Sequence, residues 1–410
     1  VPAVSVRQCA VLAGGLGTRL GAITEHTPKP LLPIGDRPFL AWLLREVIRF
    51  GVEDVLLLTG HLSENVEAAV HDLAAMLPRP INIAISQEPV RAGTGGALFH
   101  ARTHLHDRFL LCNGDSILDA NLAEMLADAA TDPMDTIGRI MLRRLEDASR
   151  YGVVACDGDR IDAFHERPPA GEAGIINGGV YLFDRRVLDE VTEICSLERD
   201  VMPRLARRGA LRGTFTSGWF IDIGIPADLA RARTELPAHL RRPALFLDRD
   251  GTINVDHGYV GTADRFDWIP GAREAVRLAS SAGWHVFIVT NQSGVARGHY
   301  DEAAVAALHG WLVEEIRRAG GTIDDVRYCP MHPEATVARY RGVSDWRKPA
   351  PGMILDLIRA WDLDAASCVM VGDQPSDMAA AAAAGIAGHL FTGGNLAQFV
   401  APLLRGECPA

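Results

Sequence analysis

The chain has 410 residues, with 41 Lys and Arg against 52 Asp and Glu and a net charge of −11, a length that predicts two or three domains, each able to bury its own core. An acidic balance lacks the clustered positive charge that a nucleic-acid surface uses to displace counterions, which excludes a general nucleic-acid partner and leaves only local anion sites. With 48% hydrophobic and 23% charged residues the composition is that of an ordinary globular protein.

Short apolar runs alternate with longer periodic segments along the whole chain, which predicts α/β layers. Strands are expected at Gln8–Ala13, Asp54–Leu58, Ile81–Ser86, Phe109–Cys112 and Gly179–Phe183, with helices at Phe39–Phe50 and Ser63–Leu77. The stretch Leu236–Pro243, with two prolines and two arginines, has little apolar periodicity and reads as a linker. It divides the chain into domains 1–238 and 239–410, each a Rossmann-like three-layer α/β unit. The second opens on a buried strand at Ala244–Asp248 and continues with strands His285–Thr290, Cys368–Val371 and His389–Phe391 and helices Asp301–Ala319 and Pro351–Trp361. The run Ala379–Ala384 reads as a tightly packed helix. No apolar run approaches the ~18 residues of a membrane span, so no membrane partner is expected. Val1–Ala10 lacks a basic start, a long apolar stretch and a cleavage signal. Seven cysteines stand singly, as reduced thiols in a cytoplasm do.

The first strand ends in Leu12-Ala-Gly-Gly-Leu-Gly-Thr-Arg-Leu20. Gly14, Gly15 and Gly17 allow backbone amides to approach a polyphosphate, Thr18 follows, and Arg19 adds a charge-assisted donor. Taken alone the turn is equally a tight β–α connection. Next comes Thr27-Pro-Lys-Pro-Leu-Leu-Pro-Ile34, whose prolines stiffen a loop holding Lys29 within reach of the same phosphates.

These motifs resemble the sugar-1-phosphate nucleotidyltransferases, and the resemblance runs over about residues 7–235. It implies a nucleotide-diphospho-sugar transferase fold. It assigns base reading to Gln87 and the turn at Gly93 and Thr94, metal binding to Asp115 in Asn113-Gly-Asp115, and sugar-phosphate contacts to Glu166 and Arg167. Sugar contacts go to Asn177 and Gly178, and a second metal aspartate to Asp222. Asp222 by itself is as readily a turn residue at a strand end. Joining a sugar phosphate to a nucleotide brings two anions together, so Asp115 and Asp222 would share one Mg²⁺ while Arg19 and Lys29 neutralise the remainder. Arg167 stands where many members carry Lys, which keeps the charge and changes its geometry. Within the family the text is most similar to the heptose-1-phosphate guanylyltransferases, which favours GTP.

The second half opens with Leu245-Phe-Leu-Asp-Arg-Asp-Gly-Thr252, followed by Val289-Thr-Asn-Gln-Ser-Gly294, Arg347-Lys-Pro349 and Val371-Gly-Asp-Gln-Pro-Ser-Asp377. Two carboxylates two residues apart at a strand end offer a nucleophile and an acid/base. This order resembles the haloacid dehalogenase-like phosphatases over about residues 243–395, without room for a large cap. The resemblance implies that Asp248 attacks phosphorus, that Asp250 protonates the leaving alcohol and then activates water, and that Thr290 and Lys348 bind the phosphoryl oxygens. Asp248, Asp373 and the backbone carbonyl of Asp250 would hold Mg²⁺, with Asp377 orienting that set. Asn291 is placed among the substrate contacts, while Arg297 and Arg347 are either clamps for a distal phosphate or merely solvated. The surrounding text is similar to the D-glycero-D-manno-heptose 1,7-bisphosphate phosphatases. Relatives often carry a structural zinc here, but the chain reads Cys329-Pro-Met-His-Pro333 and Ser344-Asp-Trp-Arg-Lys-Pro349. With only Cys329 and His332 left, no zinc is expected, and Trp346 is the candidate plug for the loop. Gln374 replaces a common Lys.

Together the two resemblances imply a bifunctional enzyme that removes the 7-phosphate of heptose 1,7-bisphosphate and joins the resulting heptose 1-phosphate to GMP, giving GDP-D-glycero-α-D-manno-heptose. They leave open a mannose-1-phosphate nucleotidyltransferase fused to a histidinol-phosphatase-like enzyme, or a regulatory subunit with one inactive site. A homo-oligomer is equally allowed.

Overall fold

The computed structural model describes residues 6–407, so Val1–Ser5 and Cys408–Ala410, including part of the N-terminal segment and the seventh cysteine, lie outside it. The chain divides into two compact units that part after His239. The expected linker is therefore partly helix. Pro226–His239 is a single helix with Pro237 inside it. Its end is pinned because Leu236 is fully buried, His239 stacks on Trp219 at 4.6 Å and the His239 ring bonds Asp119 at 2.8 Å.

The first unit is built on a nine-stranded sheet. Strand Gln8–Leu12 lies between Asp54–Thr59 and Arg108–Asn113, parallel to both, and Asn82–Gln87 pairs in parallel on the far side of Asp54–Thr59. The three inner strands, buried on both faces, read as near-continuous apolar runs, as parallel strands do, while the edge strand Asn82–Gln87 is half-buried to exposed along its length. Strand Gly174–Asp184 then runs antiparallel to Arg108–Asn113. Beyond it the strands Gly138–Leu145, Leu211–Thr216, Arg160–His165 and Val153–Asp157 follow in order, and the pairing of Ile176 with Val153 brings the last back to Gly174–Asp184. Phe109, Tyr181 and Phe183 are fully buried in the core beneath. A separate two-stranded ribbon pairs Ser116–Leu118 with Phe220–Asp222 and sets Asp222 opposite Ser116. That register puts Asp222 next to Asp115, two residues 107 positions apart in the chain.

The second unit has a five-stranded, all-parallel sheet in the order Asp325–Cys329, His285–Asn291, Ala244–Leu247, Cys368–Gly372, Ala387–Leu390. Leu245 and Leu247 face one helical layer with Ala275, Val276, Leu308 and Leu312. Phe246 packs on Phe287 at 5.2 Å, and Phe287 meets Trp361 of helix Gly352–Trp361 at 5.6 Å. The alanine run lies in helix Pro375–Ala384, where Ala381 packs so close to the sheet that a Cβ on Gly388 would lie 3.2 Å from it.

The loop after Asp325–Cys329 is held differently from expectation. Tyr328 and Tyr340 both donate to Glu302, at 2.8 and 2.6 Å, over an apolar cluster of Val295, Ala296, Val305, Ala335 and Tyr340. Tyr340 belongs to that cluster and Tyr328 packs against it, while Trp346 is half-buried and lies outside it. No helix among the described residues is long and apolar enough to cross a membrane.

Candidate active sites

In the first unit the glycine loop leaves the carboxyl end of Gln8–Leu12. Gly14 has to be small, because a Cβ there would sit 3.0 Å from the amide of Gly60, and Gly17 takes a left-handed φ of +64. Gly15 faces open space, and Thr18 and Arg19 are exposed at the start of the short helical turn Thr18–Thr24. Lys29 reaches Asp115 at 2.6 Å. The Ile223 amide donates to the Asp115 carbonyl at 2.9 Å, and Asp222 accepts from the Gly224 amide at 2.6 Å. Burial first, then the negative charge of Asp115, raises the Asp222 carboxyl above its usual range. Two carboxylates that oppose each other beside one lysine are a donor set that fits a divalent cation.

A cleft of about 510 Å³ opens beside this pair, lined by Arg19, Arg167 and Asp222 together with Arg150, Tyr151 and Gly152. The last three were not singled out from the sequence, where nothing distinguishes Arg-Tyr-Gly from a turn. Arg150 is paired with Asp228, and Tyr151 meets the Phe220 ring edge-on. Glu166 is exposed next to Arg167 after strand Arg160–His165, and Gln87 is exposed at the end of Asn82–Gln87. Other expected contacts are committed inside the protein. Asn177 donates to the Tyr181 hydroxyl at 2.9 Å and accepts from the Gly179 amide at 2.9 Å. Gly178 makes room for Leu118, which a Cβ would meet at 2.5 Å. Gly93, with φ +78, and Thr94 lie at the start of helix Gly93–Ala101, and the Thr94 hydroxyl donates to Glu198 at 2.7 Å.

In the second unit the expected residues converge on the carboxyl ends of three adjacent strands, where open α/β sheets gather their sites. Asp248 is 7% exposed and accepts from the Arg249 amide at 2.7 Å. Lys348 lies between Asp248 at 2.8 Å and Asp377 at 2.7 Å, with its third donor on the Val289 carbonyl at 2.9 Å. Burial pushes the Asp248 carboxyl up to about 7, against the pull of Lys348. For Lys348 burial opposes the charge, and Asp248 and Asp377 outweigh it, so its value is raised. Asp373 is raised chiefly by burial, and its Oδ1 is buried without a hydrogen-bond partner. Ligand oxygens of Asp248, Asp373 and Asp377 lie within 4.8 Å of one another. An orphaned carboxylate oxygen in a cluster of three acids fits a divalent cation, and it brings Asp377 nearer that position than the sequence suggested. Asp377 also caps its own helix, accepting from the Gln374 amide at 3.0 Å.

Asp250 is turned toward protein donors. Arg249 holds both its oxygens at 2.9 and 2.8 Å, Asn254 adds one bond at 3.0 Å and Gln292 another at 2.9 Å. Gln292 also donates to Thr290 at 2.9 Å. Arg249, fully buried, and Gln292 were missed from the sequence, since both sit next to the motif residues they serve. The Cys329 thiol is buried, while His332 Nδ1 accepts from the Glu334 amide at 3.0 Å.

Asn291 binds the main chain of Lys348 twice, its amide donating to the carbonyl at 3.0 Å and its oxygen accepting from the amide at 3.1 Å. Both ends of the Asn291 amide are thus engaged with the backbone of the lysine. Asn291→Ala is expected to lower phosphatase kcat about tenfold with KM within about twofold. Steady-state kinetics showing a raised KM and an unchanged kcat would contradict this.

The family models match in the same places: nucleotidyl transferase over residues 9–238 and HAD-hydrolase-like over residues 345–399. A D-glycero-β-D-manno-heptose-1,7-bisphosphate 7-phosphatase from Rhodopseudomonas palustris is 51% identical over 164 residues, covering 40% of this chain and 91% of that one. The protein of the same name from Escherichia coli K12 is 46% identical over 144 residues, 35% of this chain and 75% of that one. Among solved structures, HddC from Yersinia pseudotuberculosis is 27% identical with a TM-score of 0.50, covering 56% of this chain and 100% of that one. By its first unit the chain belongs to the nucleotidyl transferase family, and by its second to the family of D-glycero-β-D-manno-heptose-1,7-bisphosphate 7-phosphatases, so that one polypeptide carries a nucleotidyltransferase and a phosphomonoester hydrolase.

Proposed function

We propose that the chain converts D-glycero-D-manno-heptose 1,7-bisphosphate and a nucleoside triphosphate, GTP by preference, into a nucleoside-diphosphate heptose in the cytoplasm. The observation that carries this reading is the coupling of two families in one chain. The second unit is 51% identical to a heptose-bisphosphate 7-phosphatase, and the product of such an enzyme is a sugar 1-phosphate, the substrate class of the first unit's family. The preference for GTP follows from the likeness of the motifs to the heptose-1-phosphate guanylyltransferases.

In the second unit Asp248 attacks the 7-phosphorus. The bond from phosphorus to the sugar oxygen breaks, and Asp250 gives that oxygen its proton. Asp250 then takes a proton from water, which opens the aspartyl phosphate and releases inorganic phosphate. Thr290 and Lys348 hold the phosphoryl oxygens. Arg297 and Arg347 suit the 1-phosphate. The charge of Arg297 lowers Arg347 after burial has done so, and the buried Nε of Arg297 has no hydrogen-bond partner. Two neighbouring guanidiniums with a spare donor are a receptor for an anion.

In the first unit the 1-phosphate oxygen attacks the α-phosphorus of the nucleotide, and the bond to the bridging oxygen of pyrophosphate breaks. Arg19 and Lys29 neutralise the triphosphate, while Glu166 and Arg167 orient the sugar phosphate. Asp115 and Asp222 in one unit, and Asp248, Asp373 and the Asp250 carbonyl in the other, would hold Mg²⁺, which would supply neutralisation of phosphate charge.

The test is one-pot turnover of the 1α- and 1β-anomers of heptose 1,7-bisphosphate with each nucleoside triphosphate, read by product mass. GDP-heptose, phosphate and pyrophosphate are expected together. Phosphate release from histidinol phosphate but not from the heptose substrate, or transfer to mannose 1-phosphate but not to heptose 1-phosphate, would reject the heptose assignment.

A further inference from the structure

The turn assigned to base reading is held from behind by a segment a hundred residues further along the chain. The amides of Gly95 and Gly96 donate to the Cys195 carbonyl at 3.0 and 3.1 Å, and the Cys195 amide donates back to the Ala92 carbonyl at 3.0 Å. The helix start therefore spends these donors on the protein and not on a phosphate. Space is equally closed: a Cβ on Gly93 would lie 2.6 Å from the Cys195 carbonyl oxygen, and one on Gly96 2.6 Å from that of Glu193. The glycines are there for the neighbouring segment as much as for a ligand.

Glu198 sits at the centre of this joint. Its Oε2 accepts from the Thr94 hydroxyl at 2.7 Å and from the Ser196 hydroxyl at 2.9 Å, while the Leu197 amide donates to Thr94 Oγ1 at 2.9 Å. Glu198 lies in a π-helical turn, Leu197–Val201, a geometry frequent where function constrains the backbone. Its charge also reaches the sugar strand, adding to the burial that raises the Tyr181 hydroxyl. A carboxylate behind a turn that receives a nucleotide is electrostatically unfavourable for binding an anion, so an advantage from Glu198 has to come from geometry.

We propose that Glu198 is a positioning residue for the nucleoside triphosphate, locking the Gly93–Gly96 turn through Thr94 in the conformation that receives the base. This rests on the nucleotidyltransferase reading above. On that reading the base meets the part of the turn's backbone that Cys195 leaves free, and such recognition is lost when the turn drifts by a fraction of an ångström.

The experiment measures pyrophosphate release by the full chain, varying GTP and heptose 1-phosphate in turn, each preparation normalised to its own phosphatase activity. Glu198→Ala and Thr94→Ala should each raise the KM for GTP about tenfold and leave that for heptose 1-phosphate within about twofold. Glu198→Gln keeps an acceptor for both hydroxyls and should stay within about twofold of the unaltered chain. The double variant should be no worse than either single one. An unchanged KM for GTP in Glu198→Ala, a joint rise of both KM values, or an equal loss in Glu198→Gln would overturn the proposal. If Glu198→Ala fails to fold, Ser196→Ala takes its place, with a rise of about threefold expected and no change in KM for GTP counting against it. An unaltered chain that neither binds GTP with Mg²⁺ nor releases pyrophosphate would overturn the nucleotidyltransferase reading, and this inference with it.

Discussion

Asp248→Asn is expected to release phosphate from heptose 1,7-bisphosphate at least ~10⁴-fold more slowly than the unaltered chain, while joining supplied heptose 1-phosphate to GTP at an undiminished rate. The neutral amide is a far weaker nucleophile than an ionised carboxylate, and it cannot form the acyl phosphate. Its shape leaves the surroundings in place: Asn keeps an oxygen for the Arg249 amide, now 2.7 Å from Asp248, and Lys348 keeps its second carboxylate, Asp377, at 2.7 Å. Each unit has its own core, so the first has no structural reason to respond. Phosphate release by colorimetry and transfer by product mass, run on one preparation, decide it. More than a hundredth of the phosphate release surviving would remove Asp248 as nucleophile, and loss of transfer as well would show misfolding rather than missing chemistry.

Much of the phosphatase site is legible because its parts are local motifs at the ends of buried parallel strands. Asp248, Thr290 and Asp373 each follow an apolar run, and a doubly wound sheet brings such ends together whatever the spacing between them. Edge and partner information is what the sequence hides. Strand Asp325–Cys329 reads Asp-Val-Arg-Tyr-Cys, alternating and half-polar, and at the sheet edge it was not recognisable as a strand. Arg327 shows why it is tolerated there, paired with Asp325 at 2.7 Å and Asp356 at 2.8 Å.

Residue identity also fails to say which way a polar side chain turns. Asn291 and Asn177 have the chemistry of substrate contacts, yet one grips the Lys348 backbone and the other folds over Gly179. Those choices depend on what arrives from 57 residues away in one case and from the local bulge in the other. The pairing of Asp115 with Asp222 depends in turn on the register of a two-stranded ribbon that no local pattern predicts.

Asp222→Asn should separate the two demands on that ribbon, lowering nucleotidyl transfer by roughly 10²- to 10³-fold and yet raising the melting temperature of the first unit in EDTA at pH 7. Burial and the charge of Asp115 lift the Asp222 carboxyl above its ordinary value of 3.8. Folding therefore favours the protonated form. Its contribution to stability is present in full below the unfolded value and is lost as pH rises through the folded one, leaving an ionised group that opposes folding at neutral pH. Asn removes the charge and keeps an oxygen for the Gly224 amide, now at 2.6 Å. The advantage of the variant should then shrink as pH falls toward about 4, where Asp222 is itself neutral. Adding Mg²⁺ should reverse the order at pH 7, because a cation that binds only the folded state stabilises the chain that still has both carboxylates. Melting curves with EDTA and with Mg²⁺ at two pH values check all of this. A variant that melts below the unaltered chain in EDTA at pH 7 would mean that burial and the charge of Asp115 do not disfavour the ionised Asp222 in the folded chain, and one that gains as much from Mg²⁺ would place the metal elsewhere.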